Sequence, residues 1–288
     1  MTKSKQKFST SIDLGSKTFS EKFSDPADYI YEAYKELSET DAKNFLEYRK
    51  NWKASLNLQE FDFPLYLMTE QTFSCNFTCP QCILGNKEEQ KKYETPERLL
   101  PLSLFHKIID EGSKYGCRSL SVHYIDEPLL VRDLPERIAY ARKKGFLDIH
   151  LVTNAQLLTE KKSRELIESG VTRVMVSIDA NTKETFEKLR PGGTFEKVKQ
   201  NLINFMKIRN SLGLKLPVVR VSFVAQEDNI HELEDFKKFW SGIVDYIHIQ
   251  SFQKPYEDAK DSRLSENNSI PDQIFKCDQP FNRIVIRA

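Results

Sequence analysis

Strand patterns and helix patterns alternate between residues 64 and 250, and this alternation constrains the fold more than any other feature. Short runs rich in Leu, Ile and Val are separated by segments with apolar residues at helical spacing. Such alternation is typical of βα units around a parallel sheet. A closed barrel of this type needs eight units, so the pattern predicts an α/β fold with a partial six-stranded, TIM-like (β/α)6 barrel. The predicted strands span residues 64–68, 118–124, 147–153, 172–178, 218–224 and 244–249.

The barrel is predicted to occupy residues 61–252, between two terminal segments. Residues 1–24 show no apolar period and are predicted to be a mobile tail. Residues 25–60 are predicted to form a helical N-terminal extension that covers the open side or the bottom of the barrel. Residues 253–288 are predicted to be a linker followed by the beginning of a C-terminal extension.

Three of the five cysteines lie on one loop after the first predicted strand, at the spacing C-x3-C-x2-C. Thiolates are soft ligands, and Cys75, Cys79 and Cys82 can converge on a single metal centre. Four ligands would close a tetrahedral zinc site, whereas three leave one position open. A zinc knuckle completed by a distant Cys or His is therefore one interpretation, and a centre with an open position is the other. The cysteines are odd in number and mostly in one cluster, which does not fit a disulfide framework and indicates a reducing compartment.

Polar side chains follow the apolar runs of several other predicted strands. In a parallel barrel the reactive groups gather at the C-terminal ends of the strands. Each position alone is equally well explained as a strand-to-loop cap, but their joint placement in register with the cysteine loop favours function. The histidines on strands are interpreted as core residues at His123 and His248 and as a surface residue at His150. The strand-end candidates are Asp126, Glu127, Asn154, Ser177, Asp179, His248 and Gln250.

The cysteine spacing on a post-strand loop resembles the signature of the radical S-adenosylmethionine (SAM) superfamily. In that superfamily the three thiolates hold a [4Fe–4S] cluster, and its fourth iron binds the amino and carboxylate groups of SAM. The resemblance covers residues 64–287 and implies that Cys75, Cys79 and Cys82 are the cluster ligands. It also implies an enzyme that cleaves SAM reductively to a 5′-deoxyadenosyl radical and abstracts a hydrogen atom from a substrate.

Further segments resemble motifs with which this superfamily binds SAM. Residues 126–130 resemble the end of a G-G-E-P-L-L segment, although Ile125 and Asp126 replace the two glycines. Residues 152–155 (VTNA) and 176–180 (VSIDA) resemble the third- and fourth-strand motifs, and Arg190 resembles the arginine that pairs with the SAM carboxylate, for which a guanidinium fork is suited. An aromatic residue is common before the third cysteine, where this chain has a glutamine. The residues that the resemblance implies for SAM are Gln81, Asp126, Glu127, Asn154, Ser177, Asp179 and Arg190.

Residues 277–286 resemble the opening of the auxiliary-cluster extensions called SPASM and twitch domains. There, further downstream cysteines bind additional [4Fe–4S] clusters, so Cys277 is a candidate ligand of an auxiliary cluster in a longer protein. The chain stops at Ala288, before any such cysteine, and the extension is expected to be truncated or lost. Cys117 lies in the apolar segment that leads into the predicted strand 118–124 and is predicted to be a small buried hydrophobic residue.

Charge and hydropathy limit the partners and the compartment. With 43 basic and 42 acidic residues the formal charge is +1, which gives no long-range attraction to nucleic acid or to a membrane surface. No apolar run approaches the ~18 residues of a membrane helix, and the N-terminus lacks the apolar core of a signal peptide. A cytoplasmic protein is predicted, with neither nucleic acid nor membrane as a partner.

The substrate and the reaction are less constrained. The SPASM-like segment favours an oxidoreductase or another enzyme that modifies a peptide or protein side chain. A dehydrogenase or isomerase of a carbohydrate or other small metabolite is the alternative within radical SAM enzymes. The resemblance also implies a reductase, flavodoxin or ferredoxin as electron donor. A non-catalytic zinc-binding scaffold is the alternative from another class, and no catalytic residue beyond the cofactor ligands is predicted.

Overall fold

The computed structural model describes residues 17–19, 25–94, 97–257, 259–264 and 277–288 of the 288-residue chain. In this part of the chain eight strands form one sheet. The strands are β1 (Lys17–Phe19), β2 (Tyr66–Thr69), β3 (Ser119–Ser121), β4 (Asp148–Thr153), β5 (Arg173–Ser177), β6 (Val218–Ala225), β7 (Tyr246–Ser251) and β8 (Arg283–Ile286). Their order across the sheet is β1-β7-β6-β5-β4-β3-β2-β8.

All neighbouring pairs from β2 to β7 are parallel, and β8 adds another parallel strand beside β2. The predicted α/β partial barrel is therefore confirmed. It carries one more parallel strand than the six predicted, and β1 pairs antiparallel with β7 at the opposite edge.

Nine α-helices lie in the described residues. Thr159 begins one of them by accepting a hydrogen bond from the Lys162 amide at 3.3 Å, the arrangement that an N-cap threonine favours. None of the helices among the described residues has the length and apolar character required to span a membrane. The helices are α1 (Pro26–Leu37), α2 (Glu39–Ser55), α3 (Lys87–Tyr93), α4 (Leu102–Lys114), α5 (Leu134–Lys143), α6 (Glu160–Glu168), α7 (Lys183–Leu189), α8 (Phe195–Ser211) and α9 (Leu233–Trp240).

Alternate residues of the strands face two different environments, because successive side chains of a strand point to opposite faces. On β5, Val174 and Val176 are completely buried and belong to the main apolar core with the helices. Arg173, Met175 and Ser177 lie on the other face and are only partly buried. That second face lines the inside of the barrel, which we call the lumen.

Helices α1 and α2 close the end of the barrel at which the strands begin. The Tyr34 hydroxyl donates a 2.6 Å hydrogen bond to the Leu147 carbonyl oxygen just before β4, and the Tyr48 hydroxyl donates to Asp148 at 3.3 Å. Apolar residues of both helices pack in a second core with Val218 and Tyr246, the first residues of β6 and β7. Helices are thus present within the predicted extension over residues 25–60, and they cover the bottom of the barrel.

The two terminal segments differ from the predictions where the structure describes them. Residues 283–286 were predicted to belong to the beginning of an extension, but they form β8, which is part of the barrel sheet. The Tyr66 amide donates to the Asn282 carbonyl and the Glu70 amide to the Ile286 carbonyl, both at 2.9 Å. Strand β1 lies inside the predicted mobile tail. Both strands satisfy their backbone groups at an edge of the sheet, a pairing that no local pattern specifies. The rest of the predicted tail, and residues 258 and 265–276 of the predicted linker, lie outside the described residues.

Candidate metal centre

The three clustered cysteines lie on the loop after β2, at the C-terminal end of the parallel strands. All three are half-buried. The Cys82 amide donates to the Cys79 carbonyl at 3.0 Å, and the Gly85 amide donates to the Cys82 carbonyl at 2.9 Å. The second half of the loop is therefore a tight turn that continues into a short 3-10 helix over Ile83–Gly85.

Gly85 is required by the close approach of two parts of this loop. A Cβ atom at position 85 would lie 2.0 Å from the Cys79 carbonyl oxygen and 2.7 Å from its carbon. Both atoms belong to the backbone, so no side-chain rotation relieves the overlap. The spacing between Cys79 and Cys82 is held by this contact.

The turn after α7 supports the same loop from another side. The Thr78 amide donates to the Pro191 carbonyl at 2.9 Å. A Cβ atom at Gly192, whose φ is +95°, would lie 2.9 Å from the Asn76 carbonyl oxygen, and one at Gly193 would lie 2.7 Å from the Phe77 ring. The Pro-Gly-Gly turn therefore packs directly on the backbone of the cysteine loop.

Burial governs the chemistry of the cysteine thiols. It raises the pKa of Cys75 to about 12, and the Glu127 carboxylate and the neighbouring Cys79 and Cys82 thiols add to this shift. Burial also raises the pKa of Cys79, although the Arg190 guanidinium opposes the shift. The side-chain amide nitrogen of Asn154 (Nδ2) lies 3.8 Å from the Cys75 sulfur and donates to it. Because a cysteine binds metal as the thiolate and not as the thiol, metal binding at this loop must release protons.

We expect the metal-free protein to react with iodoacetamide in an order set by burial and pKa. The exposed Cys277 should react first, and Cys75 much later. The rate at Cys75 should rise about tenfold per pH unit over the alkaline range, because only the thiolate is the nucleophile. Mass spectrometry of anaerobic time courses at several pH values measures both rates. Equal labelling of Cys75 and Cys277 at neutral pH would contradict the buried environment of Cys75.

The two carboxylates after β3 are bound by the scaffold. Glu127 accepts hydrogen bonds from the Thr153 hydroxyl at 2.6 Å and the Asn154 amide at 2.7 Å, one on each oxygen. Asp126 accepts from the backbone amides of Gln71, Thr72 and Tyr124 at 2.8–3.2 Å. Burial raises both pKa values, that of Asp126 to about 7. Both side chains thus fix the loops that surround the cysteines.

Asp179 and Arg190 form a buried pair beside the cysteine loop. One carboxylate oxygen of Asp179 accepts from Arg190 and the other accepts from the Val224 amide at 2.8 Å. Burial lowers the pKa of Arg190, but Asp179 and Cys79 more than offset this effect and the pKa is raised above its usual value. The Arg190 Nε–H is buried and has no hydrogen-bond partner among the described residues. Asp179 therefore positions a guanidinium that retains an unused donor.

Gln81 and Gln226 line a cavity of about 260 Å³ next to the cysteine loop. The side-chain nitrogen of Gln226 is buried and has no partner among the described residues. Gln226 was not predicted as a site residue, although it directly follows β6 and the strand-end rule applied to that strand would have selected it. Ser177 lies on the lumen face of β5, in register with Ser222 of β6.

The structure brings together most of the predicted site residues but not Cys277. Cys277 is exposed and precedes the turn that leads into β8. The start of β8 pairs with the start of β2, so Cys277 lies toward the end of the sheet opposite the cysteine loop. Cys117 is buried, as predicted. In the part of the chain that the structure describes, no three side chains of His, Cys, Asp or Glu are arranged to hold a single metal ion.

Two buried hydrogen-bond donors without partners among the described residues indicate whether SAM fits this site. SAM presents a carboxylate and the ring nitrogens of adenine, all of which accept hydrogen bonds. The Arg190 Nε–H and the Gln226 amide are buried donors that lack an acceptor, and the half-buried Cys75, Cys79 and Cys82 have the soft chemistry of iron–sulfur ligands. The residues present therefore fit a thiolate-bound cluster with SAM beside it.

Comparisons with known proteins show what this chain is similar to. The family model of the radical SAM superfamily matches residues 70–240. A probable GTP 3′,8-cyclase of Methanococcus maripaludis is 30% identical over 181 residues, which are 63% of this chain and 57% of that protein. A cofactor-modifying protein for a tungsten-containing aldehyde ferredoxin oxidoreductase of Pyrococcus furiosus is 29% identical, over 60% of this chain and 47% of that protein. The chain thus spans about half the length of these relatives. Streptococcus suis SuiB bound to S-adenosylmethionine aligns with a TM-score of 0.55 at 15% identity, over 85% of this chain and 63% of that chain, and shares the fold.

Proposed function

The chain belongs to the radical SAM superfamily, and on this premise we propose that Cys75, Cys79 and Cys82 hold a [4Fe–4S] cluster that works with SAM. When bound, the cluster and SAM supply a 5′-deoxyadenosyl radical, by one-electron reductive cleavage, that abstracts a hydrogen atom from a substrate. The observation that carries the proposal is the cysteine loop itself, which Gly85 locks and beside which Arg190 has an unused donor.

The side chains around the loop have two kinds of role in this proposal. Arg190 binds the carboxylate of SAM, and Gln81, Gln226, Ser177 and Asn154 contact the rest of the cofactor. Glu127, Asp126 and Asp179 are positioning residues, because their carboxylate oxygens already accept hydrogen bonds from the scaffold. Helices α1 and α2, which cover the bottom of the barrel, reduce the access of water to the lumen, and a reactive radical requires such protection.

Replacing Arg190 by Gln is expected to weaken SAM binding by roughly 10- to 100-fold, the usual cost of a lost charge-assisted hydrogen bond. The substitution also leaves Asp179 buried without its partner, which is destabilising in its own right. The double variant Asp179→Asn/Arg190→Gln, compared with Asp179→Asn alone, isolates the effect on SAM. Equilibrium binding of SAM to anaerobically loaded protein measures it. Equal affinities in this pair of variants would contradict the role of Arg190.

The proposed activity is tested by anaerobic incubation of the cluster-loaded protein with a low-potential reductant and SAM. We expect 5′-deoxyadenosine and methionine in equal amounts, quantified by chromatography and mass spectrometry. Iron bound without any 5′-deoxyadenosine would contradict catalysis. Stoichiometric zinc without sulfide would support the zinc-scaffold alternative.

For the substrate we propose a small metabolite. A relative at 30% identity bears the name probable GTP 3′,8-cyclase, whereas the likeness to SuiB concerns the fold alone. The peptide or protein substrate expected from the sequence, and an auxiliary cluster in a longer protein, remain a second proposal. Its support is the SPASM-like segment at residues 277–286, which is weakened because β8 belongs to the barrel sheet. Transfer of deuterium into 5′-deoxyadenosine, from a labelled nucleotide or from labelled peptides, distinguishes the two.

A further inference from the structure

A second polar region lies in the lumen, toward the end of the barrel at which the strands begin. A cavity of about 140 Å³ that is open to solvent on one side lies there between α2 and the strands β2 to β6. Tyr48 and Trp52 of α2 bound it on one side, and His150, Arg173 and Arg220 bound it on the other. None of these residues belongs to the candidate metal centre.

The positive and negative charges around this cavity do not balance. Arg173 binds Asp148 through two hydrogen bonds of 2.5 and 3.0 Å, and Asp148 also accepts from the Tyr48 hydroxyl at 3.3 Å. The hydrogen bonds of that carboxylate therefore go to Arg173 and Tyr48, and none goes to Arg220. Arg220 has no carboxylate within ion-pair distance among the described residues, since it takes part in none of the ion pairs found there.

The Arg220 guanidinium is also short of hydrogen-bond acceptors. Its Nε–H is buried without a partner among the described residues. Within the described residues, the side-chain contact found for the terminal nitrogens of Arg220 is with the Nε2 atom of His150, at 3.4 Å. Burial and the like charge of Arg173 lower the pKa of Arg220 to about 10, so the side chain remains charged at neutral pH.

Three histidines lie near Arg220, and all are neutral near pH 7. His150 is in direct contact with Arg220, the His123 ring packs edge-on against the His150 ring with centroids 5.5 Å apart, and His248 of β7 is in register with Ser222 of β6. Burial lowers the pKa of His123 to about 3 and that of His150 well below its usual value, and the positive charge of Arg220 adds to both shifts. The pKa of His248 is lowered by the same two causes. The histidines therefore supply hydrogen-bonding groups without adding charge, and Arg220 leaves one uncompensated positive charge in the lower lumen.

A partly buried charge without a counterion carries a desolvation cost, and a planar guanidinium with free donors binds carboxylate and phosphate oxygens well. We propose that Arg220, with His123, His150 and His248 around it, binds the oxyanion group of an acidic small-molecule substrate, either a phosphate or a carboxylate. The proposal names the substrate class for the radical SAM reaction and rests on that proposed function.

The position of Arg220 suits a group that anchors a substrate away from its reacting carbon. Arg220 lies on the same lumen face of β6 as Ser222, which is in register with Ser177 of the candidate SAM site. Arg220 and Ser222 are two positions apart, which corresponds to ~7 Å along the strand. A substrate held by its anionic group at Arg220 would extend from there toward the cysteine loop.

The test is a titration of the anaerobically loaded protein with inorganic phosphate and, separately, with acetate, each followed by calorimetry at constant ionic strength. Arg220→Gln should weaken binding of the preferred anion by roughly 10- to 100-fold, and Arg220→Lys should retain most of it. Arg164→Gln, which removes the same charge from the exposed face of α6, should change nothing. The Tm of each variant, measured without added anion, shows whether it is folded.

Each outcome decides the proposal. Binding of phosphate alone supports a phosphorylated substrate, and binding of acetate alone supports a carboxylic acid. No binding of either anion to the wild-type protein, or equal binding to a folded Arg220→Gln variant, would overturn it. If the wild-type protein forms 5′-deoxyadenosine but binds no anion, only this inference fails. If Arg220 binds the anion but SAM is never cleaved, the anion site remains and the proposed function fails.

Discussion

Replacement of any one of Cys75, Cys79 and Cys82 by Ala is expected to abolish SAM cleavage while leaving the barrel folded. Loss of even an outer-shell partner commonly costs 10- to 100-fold at metal sites, so loss of a thiolate ligand should lower activity at least ~100-fold. All three side chains are only half-buried, so the smaller Ala side chain should affect packing little. Iron and sulfide content after reconstitution, together with the rate of 5′-deoxyadenosine formation, measure the effect.

Cys277→Ala is the matched control for these variants. Cys277 is exposed and lies toward the opposite end of the sheet, so its loss should change neither cluster content nor SAM cleavage. Full cluster content and activity in the Cys79→Ala variant would contradict the assignment of the three ligands. A loss of iron in the Cys277→Ala variant would show that this thiol also binds the metal.

Gly85→Ala is expected to lower the cluster content although all three cysteine ligands are retained. The added methyl group would lie 2.0 Å from the Cys79 carbonyl oxygen, so the backbone that carries Cys79 must move. Overpacking of this kind typically costs 1–3 kcal/mol, and we expect a loss of unfolding free energy of about that size. Because cluster ligands must be positioned accurately, we also expect iron content and SAM cleavage to fall at least ~10-fold.

Gly213→Ala separates this effect from a general loss of stability. A methyl group at Gly213 meets no atom within 4 Å, although its φ of +67° adds strain of about 1–2 kcal/mol. Both variants should therefore have a lower Tm, but only Gly85→Ala should fail to bind iron. A Gly85→Ala protein with normal iron content would show that the contact at Cys79 does not hold the ligands in place.

The barrel was predictable because its signal is local and repeated. The runs of apolar residues in β4 to β7 indicate strands directly, and the apolar residues of the intervening helices recur at helical spacing. The pairing of β1 and β8 was not predictable in the same way. Each is three or four residues long, and its partner strand is distant in the chain, so only the complete sheet shows which edge it joins.

The candidate site was partly predictable for a similar reason. Cys75, Cys79 and Cys82 lie on one loop in the structure, so their spacing in the sequence was enough to identify them as a group. The role of Glu127 depends on Thr153, the last residue of β4, and on Asn154, which follows it. A motif match identifies such a residue, but it does not reveal that the scaffold already occupies both carboxylate oxygens.

The lumen around Arg220 shows what a residue-by-residue interpretation leaves out. His123 and His248 were interpreted as core histidines and His150 as a surface residue, and each interpretation considered one strand at a time. Burial lowers the pKa of all three, and their common feature is that the charge of Arg220, on another strand, lowers it further. The effect of Arg220 on the histidines can be recognised only when the order of the strands in the sheet is known.

The most direct test of the central claim is the electron paramagnetic resonance spectrum of the anaerobically reconstituted, reduced protein, recorded with and without SAM. We predict the signal of a reduced [4Fe–4S] cluster, equal amounts of iron and sulfide, and a spectrum that changes when SAM is added because the cofactor binds at the cluster. A protein that binds zinc without sulfide, or a cluster signal that SAM leaves unchanged, would contradict the assignment of Cys75, Cys79 and Cys82 to a radical SAM centre.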